Sequence, residues 1–244
     1  MYKVFLYPSD VLYQFFDFSN LTEFLKQNLK TEINTNSLIT DINERFVEKI
    51  LNSKIINPFV KQQPNYFFEK EKEFELDFLK NKKNNTQIYD GFILQEIYRE
   101  FLKCKLKECH IIFTQRIIAT FDDTDGRYHN RVVILGYPCL ISLAGFSKAL
   151  VLPKEYYFLK TTSTIFKEDI KKNVYELIDK NLNFFIFKYI LQCLFYVFFN
   201  EFDCKDKKCL IADNHWFEEV YTQVVNKTIC LYHKEYIKLI GILK

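Results

Sequence analysis

Residues 184–199 read Phe-Phe-Ile-Phe-Lys-Tyr-Ile-Leu-Gln-Cys-Leu-Phe-Tyr-Val-Phe-Phe, the most apolar run in this 244-residue chain. Two polar side chains decide its reading. Lys188 and Gln192 stand four residues apart and so share one helical face, and a run of this length falls short of the roughly 20 apolar residues that a bilayer span requires. The run therefore predicts a buried central helix of a globular domain, with no membrane partner. It leads directly into Cys204-Lys-Asp-Lys-Lys-Cys209, which is followed farther on by Cys230-Leu-Tyr-His233. Structural zinc takes four thiolate or imidazole ligands in a tetrahedron, usually as two pairs from two short loops. Cys204, Cys209, Cys230 and His233 are accordingly expected to hold one structural Zn2+. Lys205, Lys207 and Lys208 in the first loop are expected to lower the thiol pKa values and to offset the charge of three thiolates. His215 lies between the two pairs and is an alternative ligand. The competing reading makes the cysteines small core residues and His233 a surface residue of a helix.

Upstream, 2–6 reads as a short strand and 20–29 and 42–55 as amphipathic helices. Between 61 and 86 the pattern degrades into Gln-Gln-Pro, alternating Lys and Glu with aromatics, and a Lys/Asn tract, which predicts a peripheral excursion over 60–88 with a solvated charged face. A helix is expected over 92–104. Residues 110–121 and 131–135 are rich in β-branched side chains and read as strands joined through the Asp/Gly turn at 122–126. Residues 140–143 and 149–152 are further short strands, and 164–181 is an amphipathic helix opened by Ser/Thr capping chemistry. The fold class is α+β: a mixed, twisted sheet packed on helices over 1–200, with a small zinc-binding subdomain over 201–244.

Hydrophobic residues make up 48% of the chain, enough for a full core. A net charge of +3 is too small to indicate nucleic acid, and none is expected as a partner. Seven cysteines, an odd number, and an amino terminus without the pattern of a secretory signal point to a reducing cytoplasm. Only five of the 34 basic residues are arginine, and three of those five fall within 110–157 together with three of the five glycines. That concentration singles out Asp122, Asp123, Asp125, Arg127, His129 and Arg131 around one glycine turn, a set of groups able to bind an anion or a divalent metal. The alternative is a structural Asp/Gly turn in which Arg and His pair with the acids.

The buried helix running into Cys-x4-Cys and then a distant Cys-x2-ligand pair resembles the carboxy-terminal part of the archaemetzincins, zinc metalloproteases, over about 184–239. The resemblance implies that Cys204, Cys209, Cys230 and His233 retain the family's structural zinc site, with His in place of the last Cys. It also places the catalytic His-Glu-x-x-His-x-x-Gly motif at Cys193, Leu194, Val197 and Asn200, with Asp203 as the third metal ligand. Asn accepts left-handed backbone angles, so the turn after the helix is expected to survive. The loss of both imidazoles and of the glutamate implies that no catalytic zinc binds there and no water is activated. The middle segment, with Gly126-Arg-Tyr-His-x-Arg131, Leu140-Ile-Ser and Pro153-Lys-Glu-Tyr-Tyr157, is similar to an uncharacterised archaeal family associated with that scaffold.

Three functions fit these expectations. The first is a zinc-stabilised, metallopeptidase-like protein without peptidase activity, acting as a binding or regulatory module for an unknown protein or peptide partner. The second is a metal-dependent hydrolase whose site has moved to residues 122–131, with Asp122, Asp125, Arg127, His129 and Arg131 as candidate catalytic residues. The third is a structural subunit that docks a partner through its aromatic surface, in keeping with 18% aromatic content.

Overall fold

The structure is a computed structural model and describes residues 3–8, 18–36, 44–61, 68–81, 87–100, 102, 105, 107–158 and 164–240. The expectations that fall on Tyr2, Ile42, Cys104, 62–67 and 82–86 lie outside the described residues. In chain order the first elements are β1 (Lys3–Pro8), α1 (Phe18–Asn28), β2 (Glu32–Thr35), α2 (Glu44–Asn52), α3 (Glu69–Asn81), β3 (Ile88–Asp90) and α4 (Gly91–Arg99). The centre contributes β4 (Glu108–Thr114), β5 (Ile117–Asp122), β6 (Arg127–Arg131), β7 (Val133–Ile134) and β8 (Cys139–Ser142). Helices α5 (Gly145–Lys148), α6 (Lys154–Phe158), α7 (Thr164–Lys180), α8 (Leu182–Phe199), α9 (Phe217–Asn226) and α10 (Leu231–Ile240) complete the chain.

The larger sheet has the order β2-β1-β4-β8-β7, parallel throughout except for β7, which runs antiparallel along the edge. A second sheet has the order β3-β5-β6, with β5 and β6 forming a hairpin. Because successive side chains on a strand point to opposite faces, the larger sheet needs cover on both sides. Val4, Leu6, Cys109, Ile111, Phe113, Cys139 and Ile141 enter one core with α1, α7, α8 and α9. The alternate residues Tyr7, Ile112 and Leu140 pack on the other face against Phe46, Ile50 and Leu51 of α2 and Leu94, Ile97 and Tyr98 of α4. The mixed sheet packed on helices expected from the sequence is the architecture found, and the first core continues without a break into Cys204, Cys209, Ile211 and Ile237.

Helix α8 is the central buried element. By length and composition alone it could cross a membrane, yet 61% of it is buried inside the protein. Lys188, 1% exposed, donates from Nζ to the carbonyls of Leu210 (3.2 Å) and Ala212 (2.8 Å), and Gln192 donates from Nε2 to Ile211 O (2.9 Å). Burial pushes the Lys188 ammonium down to about 8. Lys188 and Gln192 thus tie down the backbone between the first cysteine loop and α9.

Four local expectations are corrected. Residues 110–121 are two strands in different sheets, because the chain breaks at Gln115 and Arg116, where Thr114 Oγ1 accepts from Arg116 N (3.1 Å). The hairpin partner of β5 is 127–131, whereas 133–134 leaves it to join the larger sheet; 149–152 supplies only an isolated bridge from Val151 to Trp216. The supposed peripheral excursion holds α3, which docks on α2 and buries Glu75 and Phe78. Glu75 Oε1 pairs with Arg116 Nη2, and Tyr89 donates its hydroxyl to Glu75 Oε2 (2.7 Å). The Arg116 guanidinium lies 4.7 Å from the ring centre of Phe78 and 5.2 Å from that of Tyr89. Burial works against its charge, but the Glu75 carboxylate together with Tyr98 and Tyr89 outweighs burial and holds its pKa above the ordinary value. A solvated-face reading fails at Glu75 because an unpaired guanidinium at that depth would be prohibitive.

Candidate metal centre and adjoining cavity

Helix α8 ends at Asn200, whose backbone is left-handed (φ 58°, ψ 32°) and whose N–H returns to Tyr196 O (2.8 Å). The turn survives as expected, since Asn tolerates this region better than other residues with a Cβ. Asp203 then organises the loop: Oδ1 accepts from Cys204 N and Asp213 N, each at 2.7 Å, and Oδ2 pairs with Lys207. Burial alone would raise this carboxyl, and the two backbone donors outweigh it, so its pKa lies below the ordinary value. Gln223 of α9 donates to the carbonyls of Lys207 (3.0 Å) and Cys209 (2.8 Å), which closes the loop.

This framework brings Cys204, Cys209, Cys230 and His233 together, with their ligand atoms all within 4.8 Å of one another. Cys204 Sγ lies 3.7 Å from Cys230 Sγ, and His233 Nδ1 lies 3.7 Å from Cys209 Sγ and 3.0 Å from Cys230 Sγ. Two sulfurs bonded at tetrahedral angles to one ion through bonds of about 2.3 Å stand roughly 3.75 Å apart, so the Cys204–Cys230 spacing suits a shared ion. Cys209 is fully buried and His233 is 1% exposed, so the donors converge away from water. With Nδ1 turned to the sulfurs, His233 Nε2 meets Glu201 Oε2 at 3.2 Å, and Glu201 Oε1 accepts from the Tyr232 hydroxyl at 2.5 Å. A carboxylate on the far nitrogen fixes the tautomer that leaves Nδ1 free to ligate. Access to the cluster runs through a cavity of about 640 Å3 between Phe202, Lys205 and Tyr232.

The lysines do not tune the thiols as expected. Burial pushes Cys204 up to about 12 and raises Cys209 as well, while Lys207 spends its charge on Asp203. An incoming cation, which favours thiolate directly, must therefore displace the protons itself.

Beside this loop a cavity of about 560 Å3 opens between α8, the β6–β7 segment and 213–215. From α8 it is lined by Tyr189, Gln192 and Tyr196, and beyond the helix by Phe202. Three of these, Gln192, Tyr196 and Phe202, each stand one residue before a metal-ligand position inferred from the resemblance, Cys193, Val197 and Asp203. None of the three inferred positions itself lines the cavity. Cys193 is fully buried and turned towards the sheet, where its thiol meets Cys139, because the apolar face of α8 packs on β4 and β8. The polar face carrying Lys188 and Gln192 was the sequence signal for which side of the helix meets the cavity.

No curated protein and no solved structure matches the chain. The family described as "Probable metallopeptidase family (DUF6775)" matches residues 1–240. The chain belongs to this metallopeptidase family. Membership implies a metal ion, and two groups of described residues have the donors for one. The Cys/His cluster fits, with four converging soft and borderline donors. The cavity does not fit a catalytic metal: among the described residues Asp213 and His215 are the only acid and imidazole lining it, short of the three protein ligands such a metal needs.

His215, the alternative ligand, lies outside the four-residue cluster and on the exposed rim of the cavity, its carbonyl accepting from Val151 N (3.1 Å). Replacing His215 with Ala should leave the metal content of the purified protein unchanged; a loss measured by elemental analysis would restore it to the ligand set.

The candidate residues around 122–131 divide. Asp122, Asp125 and His129 gather within 4.8 Å at the β5–β6 turn. His129 Nε2 bonds Asp125 Oδ2 (2.7 Å), Arg127 Nε donates to the same oxygen (2.8 Å), and Asp122 Oδ1 accepts from Thr124 N and Oγ1. The Arg127 guanidinium holds Asp125 below the ordinary carboxylate range, and the Thr124 hydroxyl does the same for Asp122. Arg131 stands apart, lining the cavity with Nε donating to Thr120 Oγ1 (2.9 Å).

Proposed function

We propose that this protein is a zinc-stabilised scaffold of archaemetzincin type that has lost peptidase chemistry and serves as a binding or regulatory module in the cytoplasm. Cys204, Cys209, Cys230 and His233 hold one structural Zn2+ and join the carboxy-terminal helices to α8. The observation that carries the reading is the cavity wall. To this cavity α8 presents Tyr189, Gln192 and Tyr196, none of which combines metal affinity with general-base chemistry.

Purified protein should contain one zinc per chain and leave casein and a mixed peptide pool intact. Chelator-sensitive cleavage of either substrate would sink the proposal. A second reading places a hydrolytic metal at Asp122, Asp125 and His129, and the convergence of those three groups favours it. It requires a second ion that Asp125→Asn releases, whereas the first reading expects no such ion.

A further inference from the structure

The chemistry of the cavity is specific even without a metal. Gln192 is 2% exposed and lines it. Its amide orientation follows from its surroundings: Ile211 O can only accept, so Nε2 must face that carbonyl at 2.9 Å. This leaves Oε1 without a hydrogen-bond partner, and a buried acceptor left unmade costs free energy until a donor arrives. Arg131 lines the same cavity. Its Nε is used by Thr120, yet no described carboxylate lies within ion-pair distance of its guanidinium, in contrast to Arg99, Arg116 and Arg127, which each have one. Tyr189, Tyr196, Val133, Ile134 and Leu150 supply apolar wall, and the exposed Asp213 and His215 stand at the rim.

A partly buried guanidinium seeks a planar anion, and the unmatched amide oxygen seeks an N–H. The geometry points to the carboxy-terminal end of a peptide as the ligand, its terminal carboxylate on Arg131, a main-chain N–H on Gln192 Oε1, and an apolar last side chain against the tyrosines. The cavity volume of about 560 Å3 lies within the range of small-ligand sites, ~300–1,000 Å3, and suits a few residues of chain. This assignment rests on the binding-module reading and names its ligand class.

The test uses the full zinc-loaded chain and three probes: fluorescein-labelled Ala-Ala-Phe as the free acid, the same peptide as the carboxamide, and 3-phenylpropionate as competitor. The free acid should bind, and the carboxamide about tenfold or more weaker, as expected for loss of a charged hydrogen-bonded pair. Arg131→Leu should weaken the free acid to the level of the carboxamide, and Arg131→Lys, which keeps the charge but not the fork, should fall between; thermal melting confirms that both are folded. Equal binding of acid and carboxamide, no binding of the acid by the folded chain, or displacement by 3-phenylpropionate at the peptide's own affinity would each overturn the assignment. Mass spectrometry of the same mixtures separates the two readings: peptide that is bound and cut overturns the loss of peptidase activity alone, and peptide neither bound nor cut overturns this inference alone.

Discussion

Replacing Cys209 with Ser is expected to destabilise the protein by about 4 kcal/mol or more and to abolish the effect of chelators on its melting temperature. Cys209 is fully buried, and around it the loop from 204 to 212 is held by Asp203, by Gln223 and by contacts to the core, with little regular secondary structure of its own. An ion bound by the cluster would fasten this loop to α10 through His233, so one lost thiolate would release both ends of the connection. A chelator should bring the wild-type melting temperature down towards that of the variant and leave the variant unmoved. Wild-type protein whose melting ignores chelator would show that the four residues pack as an ordinary core without an ion.

Glu75→Gln should cost about 3–5 kcal/mol, because it leaves the Arg116 guanidinium buried without its counter-charge. The substitution preserves volume, and with its oxygen kept on Arg116 the new amide N–H can donate to the Tyr89 hydroxyl oxygen, so most of the loss is the counter-charge. Arg116 already has a buried Nε with no partner, and the rings of Phe78 and Tyr89 offer only partial compensation. Combining Glu75→Leu with Arg116→Met should recover most of the loss, since two apolar side chains carry no desolvation penalty. Urea unfolding of the single and double variants measures this. A cost below about 1 kcal/mol for Glu75→Gln would mean that solvent reaches the pair, as in a surface salt bridge.

The Cys/His cluster was legible in the sequence because its four donors come as two closely spaced pairs, 204/209 and 230/233, and declare their chemistry by residue type. The buried helix was legible for a related reason: sixteen apolar-rich residues with two polar ones four apart admit few other solutions. The cavity was not legible, since its wall is assembled from β6–β7, α8 and 213–215, which lie far apart in the chain. The resemblance did not disclose which side of the helix meets the cavity, because Cys193, in the position of a ligand, is equally at home in the core. In the same way Arg131, grouped with Asp125 and His129 by proximity in sequence, is separated from them by its Thr120 bond and its place on the cavity wall.

What the chain alone determined is whatever depends on local spacing: the period-2 strands of the sheet, the central helix, the left-handed Asn200 that ends it, and the pairs of sulfur and imidazole donors. What only tertiary packing decided is which side of each element is spent on the core. That choice buried Glu75 against Arg116 within a stretch that reads as solvated, broke 110–121 into strands of two sheets, and turned Gln192 rather than Cys193 to the cavity. The physical reason is that burial depends on what other elements bring opposite a residue, and a charge or an amide can be enclosed only where distant partners answer it.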